Sequence, residues 1–148
     1  MARGDLVQFQ EFPLELSKGG YNLETDSFSM ILITTLPVNT DASPDRADYT
    51  EVTAGGSYVT GGIALTVTLA EVGGVTTFDI TNAPSWAKLA GSPTDIKAGL
   101  IVNNTHAGTQ DAIAAVDLTT DGGTTAISMV DSTITATPNA SGLYTITI

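Results

Sequence analysis

The segment SFSMILITTL, residues 27 to 36, constrains the fold of this chain more than any other. Its centre, Met30-Ile31-Leu32-Ile33, is apolar at consecutive positions, so a strand here presents apolar side chains on both faces. Such a strand must be covered on both sides, which places it in the middle of a folded core. Composition points the same way. The chain has 24 Thr and 15 Gly among 148 residues, and only 14% of its residues are charged. Threonine's branched Cβ fits a pleated surface and loses rotamer freedom in a helix. An all-β fold is therefore expected, and the length suits one core.

Other segments alternate instead. IALTVTL (63–69) sets Ile63, Leu65, Val67 and Leu69 on one face, with Ala64, Thr66 and Thr68 on the other. GVTTFDI (74–80) continues the pattern after Gly73-Gly74, as expected of a sheet with one face in the core. GLIVNN and DAIAAVDL read as a strand pair joined by a loop around residues 105–110. TAISMV, STITATP and GLYTITI supply the closing strands, the last after a turn at 139–142. PVNTDASPDRADY reads as a long surface loop, and residues 82–98 break the alternation around the single Trp86. Roughly seven or eight short strands at intervals of about ten residues predict one antiparallel β-sandwich or jelly-roll-like domain over 23–148. The Gly-Gly pairs recur at no fixed period, so no repeat is expected.

Residues 1–22 are expected to form a short helix or an extended arm. Phe9, Phe12 and Leu16 fall at helical spacing and Lys18-Gly19 makes a reasonable helix end, whereas Pro13 favours a short or broken element. This segment packs on its own domain or on a neighbour. Its apolar side chains Leu6, Val7, Phe9, Phe12, Leu14 and Leu16 are the candidate subunit or partner interface.

The formal charge of −11 comes from 16 acidic and 5 basic side chains. Arg3, Lys18, Arg46, Lys88 and Lys97 are scattered, and nucleic-acid binding needs clustered cations. Neither nucleic acid nor an anionic membrane is expected as a partner. No apolar run is long enough to span a bilayer, and the first residues do not resemble a signal peptide. The acceptor patterns Asn103-Asn104-Thr105 and Asn139-Ala140-Ser141 accordingly read as turns. With no cysteine, disulfide and thiolate chemistry are excluded.

The motifs that could carry chemistry have plainer explanations. GGSYVTGG contains Gly55, Gly56, Gly61 and Gly62, but no Lys follows its last glycine. It leads into a strand rather than a helix, so the glycines read as structural turns and not as a phosphate loop. His106 is the sole histidine; Asp111 or Asp117 would be its orienting carboxylate, yet NNTHAGTQD reads as a surface loop. Asp41, Asp45, Asp48 and Glu51 share one loop without EF-hand spacing, and read as a solvated acidic stretch. Paired carboxylates for glycoside hydrolysis are compatible with the sequence. That chemistry sits in aromatic grooves, however, and aromatics make up only 6% of this chain. Trp86 is expected to pack over the core rather than to serve as a sugar platform. No enzyme, cofactor or metal is expected.

Taken in order, the elements GGYNLETDSFSMILIT, ADYTEV, GGSYVTGGIAL, TFDI, APSWAKL, AGLIVNNT, AAVDL and NASGLYTITI resemble a group of small tailed-bacteriophage virion proteins. The group's pattern falls on Gly20, Leu23, Thr25, Asp26 and Met30 to Ile33, and its Tyr-x-x-Gly-Gly on Tyr58, Gly61 and Gly62. Trp86, Leu100 to Asn103, and Val116-Asp117-Leu118 complete it. The resemblance implies a non-enzymatic virion component made in the host cytoplasm. It is expected to act as a capsid cement (decoration) protein on the outer capsid surface. Its implied partners are the major capsid protein and itself, as a homotrimer. Alternatives are a phage tail or head–tail protein and, in another class, a carbohydrate-binding β-sandwich module.

Overall fold

The computed structural model describes residues 3–42, 44–108, 111–138 and 144–147, the last four through their backbone pairing. The predicted turn at 139–142, with the acceptor pattern at Asn139, lies outside the described residues.

The fold is all-β with antiparallel pairing, and the strand built on Met30 to Ile33 is buried along its whole length. Strands β1 (Leu6–Gln8), β2 (Phe28–Ile33), β3 (Ile63–Leu65), β7 (Ala98–Asn103) and β8 (Ala112–Asp117) form a five-stranded sheet. Its order is β1-β8-β7-β2-β3. A second sheet has the order β10-β5-β4, built from β4 (Val67–Val72), β5 (Val75–Ile80) and β10 (Tyr144–Thr147). A two-stranded pair joins β6 (Ser85–Trp86) to β9 (Ile134–Thr135).

Every residue of β2 is buried, and its side chains divide between two cores. Phe28, Met30 and Leu32 enter one cluster with Phe78, Ile80, Trp86, Ile101 and Ile113. Ile31 and Ile33 enter the other with Val7, Phe9, Leu100 and Val102, and Leu36 and Tyr49 pack against it. The second sheet joins the first core through Phe78, whose ring meets Phe28 edge-on at 5.4 Å. The stretch 34–50 contributes to the second. Pro37 and Pro44 are buried, and the Tyr49 ring stacks on Phe9 at 5.9 Å. The supposed surface loop is thus a cover over the back of the main sheet.

The N-terminal segment packs into both cores, Val7 and Phe9 in the second and Phe12 in the first. β1 pairs with β8 in the register Val7 to Ala115. Helix α1 (Glu11–Ser17) follows, with Pro13 in its first turn, where a backbone N–H has no intrahelical acceptor to lose. Pro13 therefore does not break it. The helix ends at Lys18 as expected, the Lys18 N–H donating to the Leu14 carbonyl at 3.0 Å.

Two strand expectations change. Residues 63–69 keep their alternation but belong to two sheets. The Thr66 N–H bonds the Asn82 side chain (2.7 Å) and its carbonyl accepts from Thr81 (2.8 Å), so the chain changes partner there. Leu69 consequently lies on a sheet edge and is 44% exposed, not buried. TAISMV forms no strand. Its pairing is one bridge from Ile127 to Ile96, and the Met129 N–H turns to the Pro93 carbonyl.

Candidate functional site

The glycine motif is a turn assembly locked onto β2. Gly55 and Tyr58 exchange backbone hydrogen bonds at 3.1 and 3.0 Å, closing a tight turn in which Gly56 has a φ of +58°. Tyr58 then enters the first core, with its ring 6.3 Å from that of Trp86. Gly62 has a φ of +67°, and a Cβ there would collide with the Met30 carbonyl. The chain crosses β2 at a distance only glycine permits. No residue of this turn presents a helix N-terminus, and Tyr58, between the glycine pairs, is buried.

His106 lies near a carboxylate, but not one of the two expected. Its Nε2 is 3.3 Å from Asp26 Oδ2, and its ring meets Tyr21 edge-on at 5.7 Å. The same Asp26 oxygen accepts the Asn22 N–H (2.9 Å) and the Asn103 side-chain amide (2.8 Å). It ties the 22–26 turn to the end of β7. Asp111 instead pairs with Arg46, accepting its backbone N–H at 2.6 Å and its Nε at 2.9 Å. Arg46 also reaches Asn104 Oδ1 at 2.7 Å. Asp117 holds the Thr119 backbone and hydroxyl at 2.8 and 2.7 Å. Asp26, Asp111 and Asp117 therefore serve three separate contacts, and neither Asp111 nor Asp117 is the carboxylate beside His106.

The acidic stretch also diverges. Asp41 accepts the Tyr49 hydroxyl at 2.7 Å, and Asp45 and Asp48 form a capping box around the short 3₁₀ turn Arg46–Asp48. Glu51 accepts the Tyr58 hydroxyl at 2.6 Å and the Gly61 N–H at 2.7 Å. Among the described residues no group of three or more His, Cys, Asp or Glu is placed to hold a metal ion.

Burial divides the predicted interface. Val7, Phe9 and Phe12 are 5%, 0% and 1% exposed and face the chain's own cores, and Leu16 packs against the first core. Leu6 and Leu14 remain open to a partner. Leu6 lines a cavity of about 410 Å³ with Met30, Ile80, Ile101 and Ile134, and Arg3 and Asp79 also line it. The strands expected on either side of Gly73-Gly74 form the hairpin β4–β5, but the face of β4 expected in the core is largely open. Five of the six β4 residues are exposed, including Leu69 and Val72. Its period-2 pattern signalled a buried face and gave no sign that the strand lies at an edge.

Among the described side chains no aromatic is exposed. Trp86 is 2% exposed, and the large exposed apolar residues, such as Leu14, Val59, Leu69 and Val72, are all aliphatic. No described helix is long and apolar enough to cross a membrane. Comparisons of the chain with protein-family models, curated proteins and solved structures gave no match.

Proposed function

We propose that this chain is a non-enzymatic structural component of a bacteriophage virion. Its role is that of a cement protein, bound to the outside of the capsid and bridging capsomers. The motif order set out above supports this reading, and one structural observation adds to it. The described aromatic side chains are spent on internal packing, while aliphatic side chains stand exposed on separate elements: Leu6 on β1, Leu14 on α1, Leu69 and Val72 on β4. That arrangement suits a small module making several modest contacts. It does not suit a carbohydrate binder, which needs an exposed aromatic row.

The mechanism is linkage. A protein that binds only the assembled shell stabilises it by mass action, and many copies on one lattice add through avidity. The acidic surface turns toward solvent, and Leu6 and Leu14 are the N-terminal side chains left to meet the major capsid protein or a neighbouring copy on the shell.

Mass spectrometry of purified virions should detect the chain, and its absence would remove the proposal. Adding the protein to capsids depleted of it should raise their disruption temperature. No rise, with the protein still present in virions, would move it to the tail.

A further inference from the structure

We infer that β4 is a self-association edge, pairing antiparallel with β4 of a second copy about a twofold axis at Leu69. This inference does not rest on the virion reading. β4 is an outer strand of its sheet, and no described strand pairs with its far side. It has no Pro, no Lys and no register shift, the devices by which edge strands commonly resist pairing.

The ladder shows which groups are free. Thr81 donates its N–H to the Thr66 carbonyl at 2.8 Å, which fixes the phase of the β4–β5 pairing. Bonded and non-bonded pairs alternate along an antiparallel ladder. In the observed register, Thr68–Asp79, Ala70–Thr77 and Val72–Val75 are then the bonded pairs. The Gly73-Gly74 turn, with φ of +61° and +83°, is the two-residue kind that closes on such a pair. The N–H and C=O groups of Val67, Leu69 and Glu71 therefore point away from β5.

A second copy meets these groups in register. With the axis at Leu69, that residue faces its own mate, and Val67 faces the mate's Glu71. Every outward backbone group then finds a partner, and no carboxylate opposes another. Leu69 shares the inward face with Phe78, its partner on β5, so the Leu69 pair extends the apolar layer across the join. One strand pair buries less than the roughly 1,200 Å² of a stable interface, so the dimer is weak and concentration-dependent.

The chain contains no cysteine, so single-cysteine variants report position cleanly. Across a bonded antiparallel pair the Leu69 Cα atoms lie about 5.5 Å apart, within disulfide range. The Val72 Cα atoms would be about 20 Å apart, at the rise of an extended strand. Under mild oxidation Leu69→Cys should form a cross-linked dimer at least about tenfold faster than Val72→Cys, a preference lost in urea. Equal rates for the two variants would overturn the inference. Sedimentation equilibrium of the unmodified chain should show a reversible monomer–dimer equilibrium that Leu69→Lys abolishes. A wild-type monomer at every concentration, or a dimer indifferent to Leu69→Lys, would also overturn it.

Discussion

The Tyr58 hydroxyl donates to Glu51 Oε1 at 2.6 Å and accepts the Leu32 N–H at 3.1 Å. β2 is flanked by β3 at Phe28 to Met30 and by a bridge from Ile33 to Glu51. Between these pairings no strand carbonyl meets Leu32, and a side chain from the glycine turn supplies the acceptor. Tyr58→Phe should leave that buried N–H without a partner and cost about 1–3 kcal/mol. The expected readout is a lower urea midpoint at unchanged m-value. Glu51→Gln should cost less, because an amide oxygen still accepts from Tyr58 and Gly61. A Phe variant as stable as wild type would show that the hydroxyl does not hold the turn to β2.

Gly61 and Gly62 look equivalent in the sequence but differ in surroundings. Both have positive φ, of +91° and +67°; a Cβ at Gly61 meets nothing within 4 Å, whereas one at Gly62 meets the Met30 backbone. Gly61→Ala should cost about 1 kcal/mol of backbone strain. Gly62→Ala adds a main-chain collision and should cost more than about 3 kcal/mol, or prevent folding. Thermal melts of the two variants measure the difference. Equal losses would mean that the close approach to β2 does not matter.

What was legible in the sequence was periodicity, because side-chain period follows directly from strand geometry. The double-sided apolar run at Met30 to Ile33 foretold a strand between two cores, and Val67, Phe78 and Ile80 did face the core. Choice of partner was not legible. Nothing local in IALTVTL announces that hydrogen bonding passes from β2 to β5 at Thr66. His106 was matched to acids near it in sequence, yet Asp26, from a turn before β2, reaches it instead. Likewise PVNTDASPDRADY carries every loop signal, and its use as a cover depends on Phe9 waiting below Tyr49.

That cover is pinned by an ion pair, which makes its attachment testable. Asp111 is fully buried and accepts both the backbone and the side chain of Arg46. Removing the cation leaves the carboxylate buried beside its remaining N–H donors, a change that typically costs 3–5 kcal/mol when a buried pair loses one partner. Arg46 is 31% exposed, so Arg46→Met should fall at the lower end, about 3 kcal/mol. Hydrogen exchange should quicken in residues 44–50 before the main sheet is affected. Uniform acceleration throughout the chain would argue against a locally pinned cover.

Alkaline pH should unfold this protein through its phenols. Burial, followed by the charge of Glu15, pushes Tyr21 up to about 12. Burial also raises Tyr58 and Tyr49, and hydrogen bonds to Glu51 and Asp41 add to those shifts. In the unfolded chain the same groups lose their protons near pH 10. The folded state thus holds the protons more tightly. The stability they contribute is fully present below about pH 10 and is lost as pH rises through the folded values. Melting temperature should therefore stay level up to about pH 9.5 and fall steeply above 10. Phenolate absorbance should show Tyr49 and Tyr58 ionising together with loss of the fold, in one cooperative step. Normal titration near pH 10 with the β signal intact would contradict the buried placement of these rings.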